Sequence, residues 1–378
     1  MSWTKVRVGD AITLKRGYDL PQARRLDGVV PVVSSSGITG YHNEAKVAAP
    51  GVITGRYGTL GEVFYVEQDF WPLNTALYVR DFKGNEPRFI AYFLRNTLAN
   101  IQSDKAAVPG VNRNDLHDLR VSIPDTKTQR RIALALAPYD ELTENNRRRM
   151  ALLEEAARLL YEEWFVRLRF PGHEQTRVLD ALPEGWKRVR IGDIADCVGG
   201  GTPSTSDPAY WEDGTITWVT PTDVTQNQHF ILLDSGKKIT EAGLKNSSAK
   251  LVPAHAILMT SRASIGFFAI AGREVSTNQG FISVVPQDRV FSTFLLFQLS
   301  ERVEEIRAMG SGSTYPEVSR GKFREFQVVT PLRRLVASFD EQATVFFNQI
   351  RILKRQNKRI RAARDLLLPR LMSGEIAV

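Results

Sequence analysis

The chain contains an internal duplication, and this feature constrains its fold more than any other. Trp3 followed by VRVGD (6–10) recurs as Trp186 followed by VRIGD (189–193). Later matches keep an offset of about 207 residues, pairing Leu116, Leu119, Val121 and Pro124 with Phe323, Phe326, Val328 and Pro331. A repeat of this length indicates duplicated domains rather than a short structural repeat. We predict two homologous domains, at about 1–124 and 183–331.

Each copy shows a mixed secondary-structure pattern. Short β-branched runs alternate with turns that contain Gly, Pro and Asn, which is typical of strands. A helical pattern follows in each copy, at 86–103 and 290–308. The predicted fold class is therefore α+β, with two homologous mixed α/β domains and two long helices.

Each copy is followed by apolar residues that alternate in steps of four and three. This is the a/d pattern of a coiled coil. We predict a helical spacer at 125–170, a linker at 171–182 and a second helical spacer at 332–378. The alternative is an amphipathic helix that packs on its own domain.

Two features modify the predicted helices. Asn146 and Asn357 lie on the apolar seams, where a polar residue often fixes the register of a coiled coil. Pro138 lies near the start of the first helix, where it is expected to kink the helix or delay its start.

An antiparallel pair of such helices would have a functional consequence. A helix of about 35 residues is about 50 Å long. The pair would place the two domains at opposite ends, related by a pseudo-two-fold axis. Two DNA-binding domains that contact the same face of a duplex have centres about 34 Å apart, one helical turn, or a multiple of this distance. We therefore expect a bipartite DNA target with a fixed, unread gap.

Composition limits the class of protein. The 378 residues are 43% hydrophobic and 24% charged, with a formal net charge of +8 that favours a polyanionic partner. Cys197 is the single cysteine, so no internal disulfide can form. The chain start does not resemble a signal peptide and no apolar run is long enough to cross a membrane, so a cytoplasmic location is expected.

A glycine-rich stretch, GVITGRYGTLGEVFYV (51–66), fits neither a P-loop nor a dinucleotide-binding motif. It recurs as HAILMTSRASIGFFAI (255–270), where most of the glycines are lost. The positions kept are Thr54, Arg56 and Gly61, matched by Thr260, Arg262 and Gly266. A phosphate cradle needs its glycines, so the pattern favours a tight turn that presents an arginine.

The residues expected to contact DNA fall into two classes. Arginines bind phosphates or guanine edges in a bidentate manner, and polar loop residues bond to base edges. The candidates are Arg56 with its neighbour Tyr57, Arg262, Arg113, Arg320, Ser34, Ser35, Ser36, Thr220, Thr222 and Tyr315. The alternative for the repeated arginines is an ion pair within each domain's own fold.

Catalytic motifs are absent from the sequence. It has no Asn/Asp-Pro-Pro-aromatic motif, Walker A segment, H-E-x-x-H or G-x-S-x-G. The histidines are scattered, and Cys197 is expected to be a small buried apolar residue. We therefore predict no catalytic residue, metal site or cofactor site in this chain.

Four features resemble one known family, the specificity subunits of type I restriction–modification systems. They are the duplicated Trp and VRVGD-like segments, TGRYGTLG, the P-x-V-N-R segment at 109–113 and the C-terminal LKRQNKRIRAARDLLLPRLMSGEI. The resemblance covers essentially the whole chain. The first copy departs from the C-terminal motif, since it has Tyr161, Trp164 and Phe165 where the second has Leu367, Leu368 and Pro369.

The resemblance implies a non-catalytic subunit with two target-recognition domains joined by antiparallel helices. Two modification subunits would bind S-adenosylmethionine and methylate adenine, and restriction subunits would use ATP and Mg²⁺ to cut double-stranded DNA. The helix residues expected to bind partners are Met150, Leu153, Leu160, Trp164, Ile350, Leu353, Ile360 and Leu367. The competing interpretation is a protein-interaction adaptor with an oligomerising coiled coil.

Overall fold

The computed structural model describes residues 3–55, 62–104, 112–312 and 316–378. The chain divides into two compact units. Unit 1 consists of Met1–Glu144 and Asn357–Val378, and unit 2 of Asn145–Gln356. Among the described residues, no helix combines the length and the apolar character needed to cross a bilayer.

Unit 1 is built from short strands and a few helices. Its strands are β1 (Trp3–Arg7), β2 (Thr13–Arg16), β3 (Val30–Ser34), β4 (Gly37–His42), β5 (Gly51–Gly55), β6 (Val63–Val66), β7 (Trp71–Pro72), β8 (Ala76–Asp81) and β9 (Arg120–Pro124). Its helices are α1 (Val8–Ala11), α2 (Pro87–Asp104), α3 (Arg113–Asp118) and the first part of α4 (Thr126–Tyr161).

The strands of unit 1 form separate sheets. One sheet has the order β2-β8-β5-β6, and another has the order β4-β3-β7 with β3 parallel to β7. β1 pairs antiparallel with β9, so that Trp3 lies opposite Pro124. α2 packs on β5 and β6, and every residue of β5 is buried. This explains why β5 (GVITG) contains no charged residue and does not alternate between apolar and charged positions.

Unit 2 contains the second copy. Its strands are β10 (Val178–Leu179), β11 (Leu182–Pro183), β12 (Lys187–Arg190), β13 (Ala195–Gly199), β14 (Ile216–Val219), β15 (Ile231–Leu232), β16 (Lys237–Ile239), β17 (Leu251–Val252), β18 (Ile257–Thr260), β19 (Phe268–Ala271), β20 (Val275–Thr277), β21 (Phe281–Pro286) and β22 (Gln327–Thr330). Its helices are α5 (Ile191–Ile194), α6 (Pro221–Thr225), α7 (Glu241–Lys245), α8 (Phe291–Glu301), α9 (Val303–Ala308), α10 (Arg320–Arg324) and most of α11 (Arg333–Met372).

The sheets of unit 2 repeat those of unit 1. The order β13-β21-β18-β19 matches β2-β8-β5-β6, with β15 added at the edge. The parallel pair β14–β20 matches β3–β7, and the antiparallel pair β12–β22 matches β1–β9. The prediction of two homologous mixed α/β domains is confirmed by this shared strand order.

One predicted helix differs from the structure. The single helix expected at 290–308 is divided into α8 and α9 at Arg302, whose backbone has φ −100 and ψ 26. The Arg302 guanidinium donates to the Gln327 carbonyl at 2.6 Å and to the Glu305 carboxylate. The side chain therefore ties the break to the start of β22.

The long helix α4 begins directly after the first domain. The Asp125 carboxylate accepts the Thr128 N–H at 2.9 Å and the Thr128 hydroxyl at 3.1 Å. The Thr128 N–H holds the pKa of Asp125 below its usual value, because it stabilises the ionised carboxylate. Pro138 lies well inside α4, so it does not delay the start of the helix. After Tyr161 the chain continues as a π-helical turn, Glu162–Val166.

The two long helices run antiparallel within unit 1. Arg364 of α11 pairs with Asp140 of α4, and the Asn357 side-chain amide donates to the Thr143 carbonyl at 3.1 Å. The order of contacts along one helix is therefore the reverse of that along the other. Tyr92 of α2 joins this site by donating to Asp140 at 2.8 Å.

In unit 2 the apolar heptad residues that were expected to bind partners pack into the core of the domain itself. Met150, Trp164, Ile350 and Leu353 are buried in one cluster with residues of α8 and β18, and Leu153 and Leu160 pack against it. Leu367 packs on the core of unit 1, and Ile360 is half-buried. Docking on the helix's own domain, given above as the alternative, therefore occurs together with helix pairing.

Candidate nucleic-acid interface

Several loops of unit 2 meet at the ends of its strands. The Val219 carbonyl, at the end of β14, accepts the Asn278 N–H at 3.0 Å. The Gly280 carbonyl accepts the Ser261 N–H at 2.8 Å, and the Ser261 carbonyl accepts the Val318 N–H at 2.9 Å. Residues 219–222, 260–266, 278–280 and 316–320 are called the unit 2 loop cluster below.

Unit 1 has a corresponding arrangement. The Val33 carbonyl, near the end of β3, accepts the Leu73 N–H at 2.8 Å, and the Tyr18 carbonyl accepts the Asn74 N–H at 3.0 Å. Gly55 lies so close to the β3–β4 turn that an added Cβ would be 3.1 Å from the Ser35 Cβ. Residues 17–19, 33–36, 55 and 72–74 are called the unit 1 loop cluster.

The repeated threonines have a local structural role. The Thr260 hydroxyl accepts the Phe267 N–H at 2.9 Å, and the Thr54 hydroxyl donates to the Glu62 carbonyl at 3.0 Å. Each hydroxyl therefore bonds from the end of a buried strand to the chain that follows seven or eight residues later. Gly266 has φ +84, and an added Cβ would lie 2.3 Å from Val303 Cγ2, so this position requires glycine.

Arg262 lies in this turn and has an acidic neighbour. Its Nε is 3.6 Å from the Glu317 carboxylate, and both side chains are about half exposed, at 49% and 47%. An ion pair within the fold was the alternative considered for the repeated arginines. Exposed pairs contribute about 0–1 kcal/mol, so a phosphate can compete for Arg262 at little cost.

The candidate hydroxyl residues have different environments. Ser34 is buried, and its hydroxyl lies 2.9 Å from the Ser36 hydroxyl within the β3–β4 turn. Thr220 is the N-cap residue of α6, and the Asp223 carboxylate accepts both its backbone N–H at 2.8 Å and its hydroxyl at 2.6 Å. Ser36 and Thr222 are exposed, and Ser35 is half-buried. Ser34 and Thr220 therefore shape the loops, whereas the other three have more freedom to contact a ligand.

Two arginines occupy the same local position in both units. Arg113 is the first residue of α3 and Arg320 the first of α10, and both are exposed. The preceding residues cap the helices, because the Asn112 and Ser319 side chains accept N–H groups of the first turn. The repeated cap explains the sequence match, and both arginines that follow it are exposed. Arg56, Tyr57 and Tyr315 lie outside the described residues.

The structure also places residues in or beside the loop clusters that the sequence analysis did not select. Thr202 donates to the Gln279 side chain at 2.5 Å beside the unit 2 loop cluster. In unit 1, the Tyr18 hydroxyl lies 3.1 Å from that of Tyr78, and this hydrogen bond lowers the pKa of Tyr18. An asparagine precedes an apolar run in both copies, as Asn74-Thr75 and as Asn278-Gln279, and this match is a sequence signal for the region of Gln279. Nothing in the sequence pattern distinguishes Tyr18.

The titratable residues considered for catalysis are engaged structurally. The Cys197 thiol has a pKa raised to about 11 by burial, so it is protonated near neutral pH. His117 accepts the Leu14 N–H at 3.0 Å, and His42 accepts the Leu26 N–H at 3.0 Å. Within the ranges that the structure describes, no group of three or more His, Cys, Asp or Glu side chains could hold a metal ion.

Comparison with known proteins identifies the family. A family model, described as the type I restriction modification DNA specificity domain, matches residues 1–155 and 183–358. The chain belongs to this family. The two matched segments correspond to the two copies in the sequence, and the resemblance deduced from the motifs is confirmed.

Individual members of the family show how far the likeness extends. The type I restriction enzyme MjaIX specificity subunit of Methanocaldococcus jannaschii is 32% identical over 197 residues, which are 52% of this chain but only 45% of that protein. The HindI specificity subunit of Haemophilus influenzae is 23% identical over 337 residues, 73% of each chain. The crystal structure of a type I restriction–modification S subunit from M. genitalium matches with a TM-score of 0.58 at 17% identity, covering 98% of this chain and 96% of that one. This last match supports the fold.

Proposed function

We propose that the chain is the DNA-reading subunit of a type I restriction–modification complex. Each unit reads one half of a split double-stranded target through its loop cluster. The chain has no catalytic role of its own. Partner modification subunits bind S-adenosylmethionine and methylate adenine, and restriction subunits use ATP and Mg²⁺ to cut DNA.

The main support is the loop cluster that occurs twice on the same strand framework. The backbone bonds at the ends of β3 and β14 are alike, whereas the side chains beside them differ, with half-buried Ser35 and exposed Ser36 in unit 1 and exposed Thr222 in unit 2. Hydroxyl groups donate to and accept from base edges, so different side chains on one framework suit two different half-sites. Arg113, Arg262 and Arg320 provide cations for phosphates, which fix the register on the duplex.

The test is to map methylated adenines in a host that carries this chain and its modification subunit. We expect one bipartite motif with a constant gap, because a single polypeptide carries both reading units. Deleting the gene for this chain alone is expected to abolish the modification. A contiguous motif, or methylation that persists without the chain, would contradict the proposal.

Arg262 provides a test of the phosphate contact. Arg262→Gln is expected to weaken DNA binding by the assembled complex about 3- to 10-fold at moderate salt, and to lower the slope of log affinity against log salt by about 1. Binding is measured by fluorescence anisotropy over a salt series.

Glu317→Gln is the matched control for Arg262→Gln. It breaks the same ion pair but keeps the arginine and removes a negative charge. DNA affinity is therefore expected to be unchanged or stronger. Equal weakening by both substitutions would show that the pair acts only within the fold.

Partner binding requires exposed residues, and the seam residues named from the sequence are largely buried in this chain's own cores. Other apolar residues of the long helices are exposed. In unit 2, Leu152 and Leu159 lie seven residues apart on α4, and Val345 and Ile352 lie seven residues apart on α11. This spacing places each pair on one helix face. We refer to these four residues as the apolar stripe.

The apolar stripe is proposed as the contact for a modification subunit. Its residues are 71%, 50%, 59% and 46% exposed in chain order. Large apolar side chains that repeat along one face are typical of a protein interface, whereas single exposed ones are ordinary. Unit 1 presents Leu134, Leu142 and Leu366 on the same helices.

A further inference from the structure

In unit 2, a buried acidic side chain of the first long helix holds a loop of the domain. Glu154 of α4 accepts the Phe230 backbone N–H at 2.7 Å through one oxygen. Its other oxygen lies 2.9 Å from His229 Nδ1. The Glu154 and His229 side chains are 12% and 7% exposed. Both carboxylate oxygens are therefore committed to residues 229–230.

The second long helix holds the same loop with a basic side chain. The Lys354 ammonium of α11 donates to the Ile231 carbonyl at 2.6 Å and to the side-chain oxygen of Asn227. The Asn227 amide group in turn donates to the carbonyls of His229 and Ile231. We call Glu154, Lys354, Asn227 and His229 the loop anchor.

The environment of the loop anchor makes its geometry specific. Burial lowers the pKa of the Lys354 amine to about 8, and the nearby Glu154 carboxylate opposes this shift. Hydrogen bonds that involve charged groups are strong where water is excluded. A buried charge that loses its partner is costly, so the loop has little freedom to shift relative to the helices.

The anchored loop is continuous with the unit 2 loop cluster. Residues 227–231 follow α6 directly, and α6 carries the exposed Thr222 and is capped by Thr220. At its other side, Asp223 of α6 accepts the Gly236 N–H at 2.9 Å. Two contacts therefore determine the position of α6, the loop anchor at residues 227–231 and the hydrogen bond between Asp223 and Gly236.

The two copies differ at the positions that match the loop anchor. With the offset of about 207 residues, Arg361 corresponds to Glu154 and Arg147 to Lys354. An arginine cannot accept a backbone N–H, so Arg361 cannot make the bond that Glu154 makes. The carboxylate half of the anchor is therefore a feature of unit 2.

We infer that Glu154 and Lys354 are positioning residues for DNA reading by unit 2. They hold residues 227–231 against the two long helices and so set the position of α6 at its half-site. The inference rests on the proposed function, in which unit 2 reads one half-site. Neither residue is required to touch DNA.

The test uses the complex of the chain with its modification subunit and a set of duplexes with single base-pair changes in either half-site. Glu154→Gln and Lys354→Met are compared with wild type by competitive binding. We expect discrimination against changes in one half-site to fall by about 5- to 10-fold for Lys354→Met. Discrimination at the other half-site is expected to stay within about 2-fold. Thr222→Ala assigns the affected half-site to unit 2.

Two pairs of variants keep the result interpretable. Glu154→Gln retains an acceptor for the Phe230 N–H and should give a smaller loss than Lys354→Met; it carries the test if the latter does not fold. Glu155→Gln and Arg355→Met change exposed neighbours on the same helices and should behave as wild type. Equal losses at both half-sites, or unchanged discrimination in folded Glu154→Gln and Lys354→Met proteins, would overturn the inference.

The same experiment separates this inference from the proposed function. If wild-type complex does not discriminate at two separated half-sites, the proposed function fails. If wild type discriminates at both and the anchor variants do so equally well, only the positioning role fails.

Discussion

Phe339→Ala is expected to destabilise unit 2 by about 3–5 kcal/mol, the range for removing a fully buried aromatic side chain. Phe339 of α11 is 0% exposed. Its ring centroid lies 5.2 Å from that of Phe165, 6.3 Å from that of Trp164 and 6.2 Å from that of Tyr161. One substitution therefore removes packing between the first part of α11 and the end of α4 with its π-helical turn.

The measurement is the free energy of unfolding from denaturant titration, with hydrogen exchange of unit 2 amides to locate the change. Val345→Ala is the control on the same helix, because Val345 is 59% exposed. It should change the free energy by no more than about 0.5 kcal/mol. A loss below about 1 kcal/mol for Phe339→Ala would mean that the aromatic cluster does not hold the helix on unit 2.

The double substitution Leu152→Glu with Leu159→Glu is expected to weaken binding of the modification subunit by at least about 100-fold. Burying a leucine contributes about 1.5–3 kcal/mol, and a carboxylate placed in an apolar contact adds a desolvation cost. Both leucines are at least half exposed, so the isolated chain should keep its melting temperature. Binding is measured by calorimetry or by co-purification at defined concentrations.

Val178→Glu with Leu179→Glu is the matched control for the apolar stripe. These residues are each 59% exposed and belong to β10 rather than to a long helix. Partner affinity should then be close to that of wild type. If both double variants bind equally well, the modification subunit does not use the apolar stripe, and the contact must be sought elsewhere on the chain.

Features that depend on local spacing were predictable from sequence. The repeated Trp and VRVGD-like segments marked two equivalent domains, and the steps of three and four residues marked α4 and α11. The Thr54–Thr260 match identified equivalent positions, because each hydroxyl bonds to a residue seven or eight positions away along the chain. Such interactions recur whenever the local sequence recurs.

Contacts between distant parts of the chain were not predictable in this way. Glu154 meets His229 across 75 residues, and Lys354 meets Asn227 across 127. Neither pair has a repeated spacing, and Arg361 in place of Glu154 shows that the two copies do not share the chemistry. These contacts exist because strand pairing brings the loop after α6 against both helices.

The same distinction applies to the helix seams. Periodicity correctly marked Met150, Ile350 and Leu353 as apolar face residues, but it could not tell whether a partner chain or the domain itself covers them. In the structure the domain covers them, and Leu152 and Ile352 remain exposed. A heptad pattern specifies that a face will be buried, whereas the packing of the whole chain specifies what buries it.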